Sequence, residues 1–404
     1  MTTSAARTIH PFPARMAPEI ALDRLKGLPR GSVVLDPMSG SGTVLRQAAE
    51  IGHRAIGLDL DPLAVLMSRV SVRALKDNDV GEACDAVLRI AKILDPAQIQ
   101  LAWIDDDPET KTFVEYWFGE SQMRDLRRLA FVLYNSAGAV GRSFRPVVMD
   151  ALRIALSRII VTKEQCASLA RDTSHSRPHR VATSSDYSVF NGFERSVAQV
   201  RSRLPQFPTK GRASVRLGDA RRIRLEDNSV DAVITSPPYL NAIDYMRGHR
   251  LALVWLGFRL SELRSIRSNS IGAERSPDLP RSCEKEIQRS LGDMTGLAAR
   301  HRGMIDRYIQ DVLVMSKEVA RVLKPGGVAT FVVGNSCLSG VFIRNSEVLK
   351  LAARKSGMTL IEEADRSLPP SSRYLPISAG GALGKRMRTE AILTFGRGHK
   401  TGGG

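Results

Sequence analysis

Thr235-Ser236-Pro237-Pro238-Tyr239 sets a hydroxyl, two prolines and an aromatic ring side by side. An acid and a short apolar run, Asp231-Ala232-Val233-Ile234, lead into it. Proline has no N–H to give a sheet, so a buried parallel strand is expected to stop there. Ligands of open α/β sheets gather at the carboxyl ends of strands. A slot of this composition suits a flat polar molecule. The Tyr239 ring can stack on one face, while Ser236 and the carbonyls near Pro237 accept hydrogen bonds from an amino group. The plainer reading is a Pro-Pro turn selected for its backbone alone.

A second constellation lies far upstream. Ser32-Val33-Val34-Leu35-Asp36 reads as a buried strand and runs into Pro37-Met38-Ser39-Gly40-Ser41-Gly42-Thr43. Val44, Leu45, Ala48 and Ile51 then recur at helical spacing until Gly52. Strand, glycine turn and helix together offer backbone N–H groups and a helix N-terminus to a nucleotide-like cofactor. No lysine follows the glycines, so this is not the turn that cradles a triphosphate. It lets the backbone approach something uncharged or zwitterionic. Arg54-Ala55-Ile56-Gly57-Leu58-Asp59 is the next strand. Asp59 thus ends a strand about 20 residues past the turn, where an acid takes ribose hydroxyls. Asp61-Pro62 opens a further helix, and Asp61 suits its cap.

These groups need a sheet to hold them. Ser214-Val215-Arg216-Leu217-Gly218-Asp219-Ala220 reads as a strand ending in an acid. Later, Ile305, Tyr308, Ile309, Val312 and Val319 share a helix face, and Lys324-Pro325-Gly326-Gly327 stops that helix. Strands are expected over 328–334, 358–361 and 390–395, with a helix over 347–354. The βα alternation fails between 76 and 211, which reads as a helical insertion far longer than an ordinary connection. Near its end His175 and His179 have a metal pair's spacing. Pro178 breaks the helix that would align them, and no further ligands cluster there, so no metal is expected. That polar, basic stretch suits phosphate contact, or simply solvent. Residues 246–300 read as a second, basic insertion, with Ser265-Ile266-Arg267-Ser268-Asn269-Ser270 a flexible-looking candidate for nucleic-acid contact.

Taken in order, these segments resemble the S-adenosylmethionine-dependent DNA amino-methyltransferases, which act on the N4 of cytosine or the N6 of adenine. The resemblance rests on residues 36–43, Gly57-Leu58-Asp59, Gly218-Asp219-Ala220 and the Ser-Pro-Pro-Tyr stretch, with Lys324-Pro325-Gly326-Gly327 before a strand. It makes 1–75 and 212–404 the catalytic domain; the two insertions match no part of the family. It implies a Rossmann-like α/β methyltransferase fold, a mostly parallel seven-stranded sheet carrying helical insertions. S-adenosylmethionine would be the cofactor and DNA the partner. Gly40 and Gly42 would carry the backbone round the cofactor's methionine part, with Asp36 beneath and Pro37 and Thr43 in the same turn. Asp59 would hold the ribose hydroxyls and Asp219 the adenine amino group. Residues 10–16 look like the family's amino-terminal motif, with Phe12 and Pro13 closing over the methionine end. Ser236, Pro237, Pro238 and Tyr239 would form the catalytic slot. Serine at its head leans toward N4-cytosine, because most adenine enzymes carry Asp or Asn there.

The alternatives are an N6-adenine enzyme, an RNA base amino-methyltransferase, and a catalytically silent DNA-binding methylase fold. Carbon-5 cytosine chemistry needs a nucleophilic cysteine, in such enzymes following a proline, and none of the four cysteines does. Either insertion could read the target, and a cognate restriction endonuclease is a candidate partner; the oligomeric state stays open. Composition agrees. The 404 residues carry 59 Lys and Arg against 42 acids, a net +17 that favours a polyanion, nucleic acid ahead of a membrane surface. No apolar run nears the roughly 20 residues of a membrane span, and residues 1–15 lack the pattern of a signal peptide. Scattered cysteines without a C-x-x-C pair fit a cytoplasmic protein with reduced thiols.

Overall fold

The computed structural model describes residues 8–12, 15–135, 144–172, 178–205, 209–240, 244–273, 285–291, 296–338, 341–367 and 389–398. Its sheet strands are β1 (Val33–Asp36), β2 (Arg54–Asp59), β3 (Arg212–Leu217), β4 (Val230–Thr235), β5 (Leu323–Gly334), β6 (Met358–Ser367) and β7 (Thr389–Arg397). They form one seven-stranded sheet in the order β6-β7-β5-β4-β1-β2-β3. The first five pair in parallel, and β7 runs antiparallel to both β5 and β6.

Side chains of a strand alternate between faces, so the middle strands feed two cores. Val34, Ala55, Ile234 and Val332 pack with α1 (Pro18–Lys26) and α2 (Thr43–Ile51). Their neighbours Leu35, Ile56, Val233 and Phe331 pack with the helices Ala299–Val322 and Asn345–Lys355. Near the amino ends of the strands Asp231 ties three of them together. Its carboxylate accepts the Val33 N–H at 2.7 Å and the Lys324 ammonium at 2.7 Å. A Cβ at Gly327 would lie 2.9 Å from the Lys324 carbonyl oxygen and 3.0 Å from that of Asp231, so only glycine lets β5 approach here.

Two elements are longer than the sequence suggests. β6 extends to Ser367 instead of stopping near 361, because its strand character comes from pairing with β7. Most of its side chains are exposed, apolar Leu360 and Ile361 beside the charged Glu362 and Glu363, so no apolar alternation marks it. β5 starts at Leu323 instead of 328 and so runs through Lys324–Gly327, the segment read as a helix stop.

A third core is helical. It joins α3 (Pro62–Ser71) and the helices Asp77–Ile93, Glu120–Tyr134, Pro146–Arg158 and Val189–Arg201. Leu251, Leu253, Trp255 and Leu263, from the stretch after the Ser-Pro-Pro-Tyr segment, belong to the same core. Trp255 meets Phe118 edge to face at 5.0 Å, and the Trp103 indole donates to the Val254 carbonyl at 2.7 Å. Residues 265–270, expected as a flexible stretch, fall in and just after the helix Leu260–Asn269. Leu260 and Leu263 anchor that helix inward while its serines and arginines face out.

Candidate active site

β1, β2 and β4 end on the same edge of the sheet, and the candidate residues hang from those ends. The Thr235 hydroxyl donates to Asp36 Oδ1 at 2.7 Å, and the Met38 N–H donates to the same oxygen at 3.2 Å. Pro37 is buried in the turn that follows, and Thr43 starts α2. Gly40 and Gly42 take left-handed backbone, φ 50° and 81°, which a side chain resists. The Gly40 N–H donates to Asp59 Oδ2 at 2.8 Å, and the Asp61 N–H to Asp59 Oδ1 at 2.9 Å. Asp61 caps α3 by accepting the Leu63 N–H at 2.9 Å, as its place before Pro62 suggests.

Phe12 closes the turn from above. A Cβ on Gly40 would sit 3.0 Å from the Phe12 ring, so ring and backbone bound one cleft. The segment before Phe12 is anchored to the helical body: Arg158 donates to the Ile9 carbonyl at 2.7 Å, and His10 bonds the Ser157 hydroxyl at 3.0 Å. Pro13 lies outside the described residues.

Ser236, Pro237, Pro238 and Tyr239 follow β4 without regular secondary structure, Pro237 buried and the others half-buried. The Tyr239 hydroxyl donates to Glu390 Oε1 at 3.1 Å. Burial and that acid push the phenol well above its usual range, so it stays a neutral donor. Glu390 comes from the start of β7 and has no sequence signal, since 151 residues separate it from Tyr239. Tyr245 and His249 were also missed. Phe12 stacks on Tyr245 at 4.8 Å with planes 8° apart, and His249 bonds the Asp61 carboxylate. They stand four residues apart on the helix Tyr245–Leu253, a spacing that puts both on one face but does not by itself point to Phe12.

Asp219 already has a partner in the structure. It lies past the end of β3, and its carboxylate is held by Arg221 at 2.7 and 3.0 Å. Arg221 also pairs with Asp311 at 2.6 Å. Any ligand that takes Asp219 must loosen that pair. His179 is exposed in a two-residue strand, His175 lies outside the described residues, and no group of metal ligands forms among the described residues. No described helix is long and apolar enough to cross a membrane.

Burial pushes the Asp36 carboxyl up to about 7, and burial together with neighbouring Asp61 does the same for Asp59. Both are raised above the unfolded carboxyl value of about 3.9, so between about pH 4 and 7 the folded chain holds protons the unfolded chain has released. Their contribution to stability is therefore present at low pH and is lost as pH rises through about 7. Wild type and Asp59→Asn, melted side by side across this window, should show it. The wild type should lose melting temperature relative to the variant as pH rises, and parallel curves would refute the burial argument. A cationic or hydroxyl-bearing ligand favours the ionised form and should bind more tightly over the same rise in pH.

No family profile matches the chain. It is 22% identical to Type II methyltransferase M.BsoBI of Geobacillus stearothermophilus over 78% of its own length and 71% of that protein's. Type II methyltransferase M.MvaI of Kocuria varians is 19% identical over 97% of this chain and 91% of its own. Among solved structures, a SAM-dependent methyltransferase of Methanosarcina mazei covers 93% of this chain and 96% of its own at 9% identity, with a TM-score of 0.34. A superposition that loose adds nothing to the strand order, so the fold class rests on the sheet. Six strands of one direction, an antiparallel β7 inserted between β5 and β6 and a glycine turn after β1 make the Rossmann-like fold of S-adenosylmethionine-dependent methyltransferases. S-adenosylmethionine is the cofactor of that class.

Proposed function

We propose that the chain is an S-adenosylmethionine-dependent DNA methyltransferase that modifies an exocyclic amino group, the N4 of cytosine in a flipped nucleotide. The observation that carries this reading is the seat of Ser236-Pro237-Pro238-Tyr239, next to the Thr235–Asp36 bond and one strand from the glycine turn. An amino-group slot and a cofactor turn thus share one edge of the sheet. The net charge of +17 and the Type II methyltransferase relatives support DNA as the polymer.

The donor set fits the cofactor. Gly40 leaves room that a Cβ would fill, with Phe12 over that gap, and Gly42 lets the same turn lie close against α3. Asp59 spends one acceptor site per oxygen on N–H groups, and a carboxylate has about four. The remainder can take ribose hydroxyls. Pro37 and Thr43 shape the same turn, and Asp36 lies beneath it. Asp219 would meet the adenine amino group on loosening Arg221, which makes Arg221 part of that subsite. Bound there, S-adenosylmethionine supplies a sulfonium methyl, which the amine nitrogen takes while sulfur keeps the bonding electron pair.

A base paired in a duplex must first leave the stack. The Tyr239 ring replaces part of the stacking lost, worth about 1–3 kcal/mol. The exocyclic amine is a poor nucleophile because its lone pair is delocalised into the ring. Ser236 Oγ and the Pro237 carbonyl hold its hydrogens and turn that lone pair toward the methyl. Positioning is the main rate contribution open to such a site, and the polar acceptors stabilise the positive charge that develops on nitrogen. The surplus proton leaves the amine for solvent by way of the Ser236 hydroxyl, which can take one proton as it gives up another. Serine in place of Asp or Asn at the head of the slot favours cytosine over adenine.

The deciding experiment is transfer from tritiated S-adenosylmethionine to unmethylated genomic DNA and, in parallel, to total RNA, followed by hydrolysis to nucleosides. Label in N4-methylcytosine is expected. N6-methyladenine would correct the base, label only in RNA would correct the polymer, and cofactor binding without transfer would leave a silent fold.

A further inference from the structure

Building on the DNA-methyltransferase reading, we propose that Arg247, Arg250 and Arg267, gathered round Asp244, clamp a backbone phosphate of the target strand beside the base slot. Asp244 caps the helix Tyr245–Leu253 by accepting the Arg247 N–H at 3.3 Å. Its other oxygen takes Arg267 at 2.7 Å and stands 3.6 Å from the Arg247 guanidinium. One carboxylate therefore faces two cations already. Arg250 follows one turn along, its guanidinium 5.2 Å from the centre of the Phe113 ring. Its Nε is buried and has no hydrogen-bond partner among the described residues. Glu109, on the helix that carries Phe113, is already paired with Arg264. The charged groups that bear on Arg250 are Arg267, Asp244 and Arg247, so with Arg250 itself one acid stands among three bases.

A tie between two helices would need only Asp244 and one arginine. Two surplus guanidiniums held together repel each other unless an anion joins them. Guanidinium forks match phosphate oxygens two at a time, and the helix N-terminus beside them adds N–H groups and partial positive charge. The cluster also stands where the backbone of a flipped nucleotide must pass. A Cβ on Gly272, just past the helix that carries Arg267, would lie 3.3 Å from the Tyr239 carbonyl oxygen. Tyr245, next to Asp244, stacks on Phe12 over the glycine turn. Phosphates on either side of an extruded base are the anions within reach of such a position.

Salt dependence separates a phosphate contact from a structural one. The dissociation constant of the full chain for a short mixed-sequence DNA duplex is measured over a range of potassium chloride concentrations. Each lost phosphate contact lowers the slope of log K against log salt by about 0.9. Arg267→Gln and Arg250→Gln should each weaken binding and lower the slope by about one contact. They should raise KM for DNA more than they lower kcat, and leave S-adenosylmethionine affinity unchanged. Arg201→Gln, where Asp77 already matches the charge, should keep the wild-type slope. Arg250 packs on Phe113 and could matter for folding, so the half-exposed Arg267 is the deciding variant, with Arg267→Lys expected to recover part of the slope. A wild-type slope in Arg267→Gln overturns the clamp, and so does joint loss of cofactor and DNA binding, which marks a folding role. A wild-type chain that binds cofactor but no duplex sinks the DNA reading itself, and the clamp with it.

Discussion

Ser236→Ala and Tyr239→Ala should each abolish most methyl transfer while S-adenosylmethionine binding stays near wild type. Loss of one preorganised polar contact to a developing charge costs about 100- to 1,000-fold in rate, which sets the scale for Ser236. Tyr239→Ala removes the ring that replaces base stacking, about 1–3 kcal/mol, and opens the slot to water. Tyr239→Phe separates two explanations of that loss. It keeps the ring and removes only the hydrogen bond to Glu390. A hydrogen bond contributes about 1 kcal/mol net, so Tyr239→Phe should retain transfer within roughly tenfold. Tritium incorporation into DNA, with cofactor affinity by calorimetry, reads all three variants. If Tyr239→Phe is as inactive as Tyr239→Ala, the Glu390 bond and not the ring is what matters. If the alanine variants melt early and lose the cofactor too, the stretch is a structural turn.

The parts of this site that could be read in the sequence are those with a local cause. Two prolines end β4, two glycines permit a left-handed turn after β1, and short unbroken apolar runs mark the buried strands. Each signal spans a few residues, and each appears where it was expected. Glu390, the tie from Arg221 to Asp311 and the union of the two insertions have no local cause. Trp103 and Val254 meet although 151 residues separate them, and nothing near either one announces the other. The edge strand β6 shows the same limit from the other side. Its charged residues pair through the backbone, which is blind to side-chain pattern. Phe12 was placed over the cofactor end by resemblance, whereas its stacking partner Tyr245 emerges only from the packing.

Gly40 and Gly42 look alike in sequence and should fail differently. A Cβ on Gly42 would come within 2.5 Å of the Ser71 hydroxyl and 2.9 Å of the Ser68 Cα. The second of these is backbone, so α3 itself must move. Left-handed strain of about 1–2 kcal/mol and overpacking of about 1–3 kcal/mol then add, and Gly42→Ala should lower the melting temperature of the whole protein. On Gly40 the same Cβ would meet only Phe12 ring carbons, at 3.0 and 3.2 Å. A ring on a short, proline-punctuated segment can swing away, so the fold should lose little beyond the backbone strain. The displaced ring is the one that closes the cleft, and cofactor affinity should therefore drop about tenfold or more, the scale of about 1.4 kcal/mol. Phe12→Ala should cost a similar amount by opening the cleft outright. Because both changes act through one contact, the double variant should be no worse than the worse single one. Melting curves and S-adenosylmethionine dissociation constants for the four proteins of this cycle test the argument. Additive losses in affinity would mean that Phe12 and Gly40 bind the cofactor independently, and that the ring does not serve as the turn's lid.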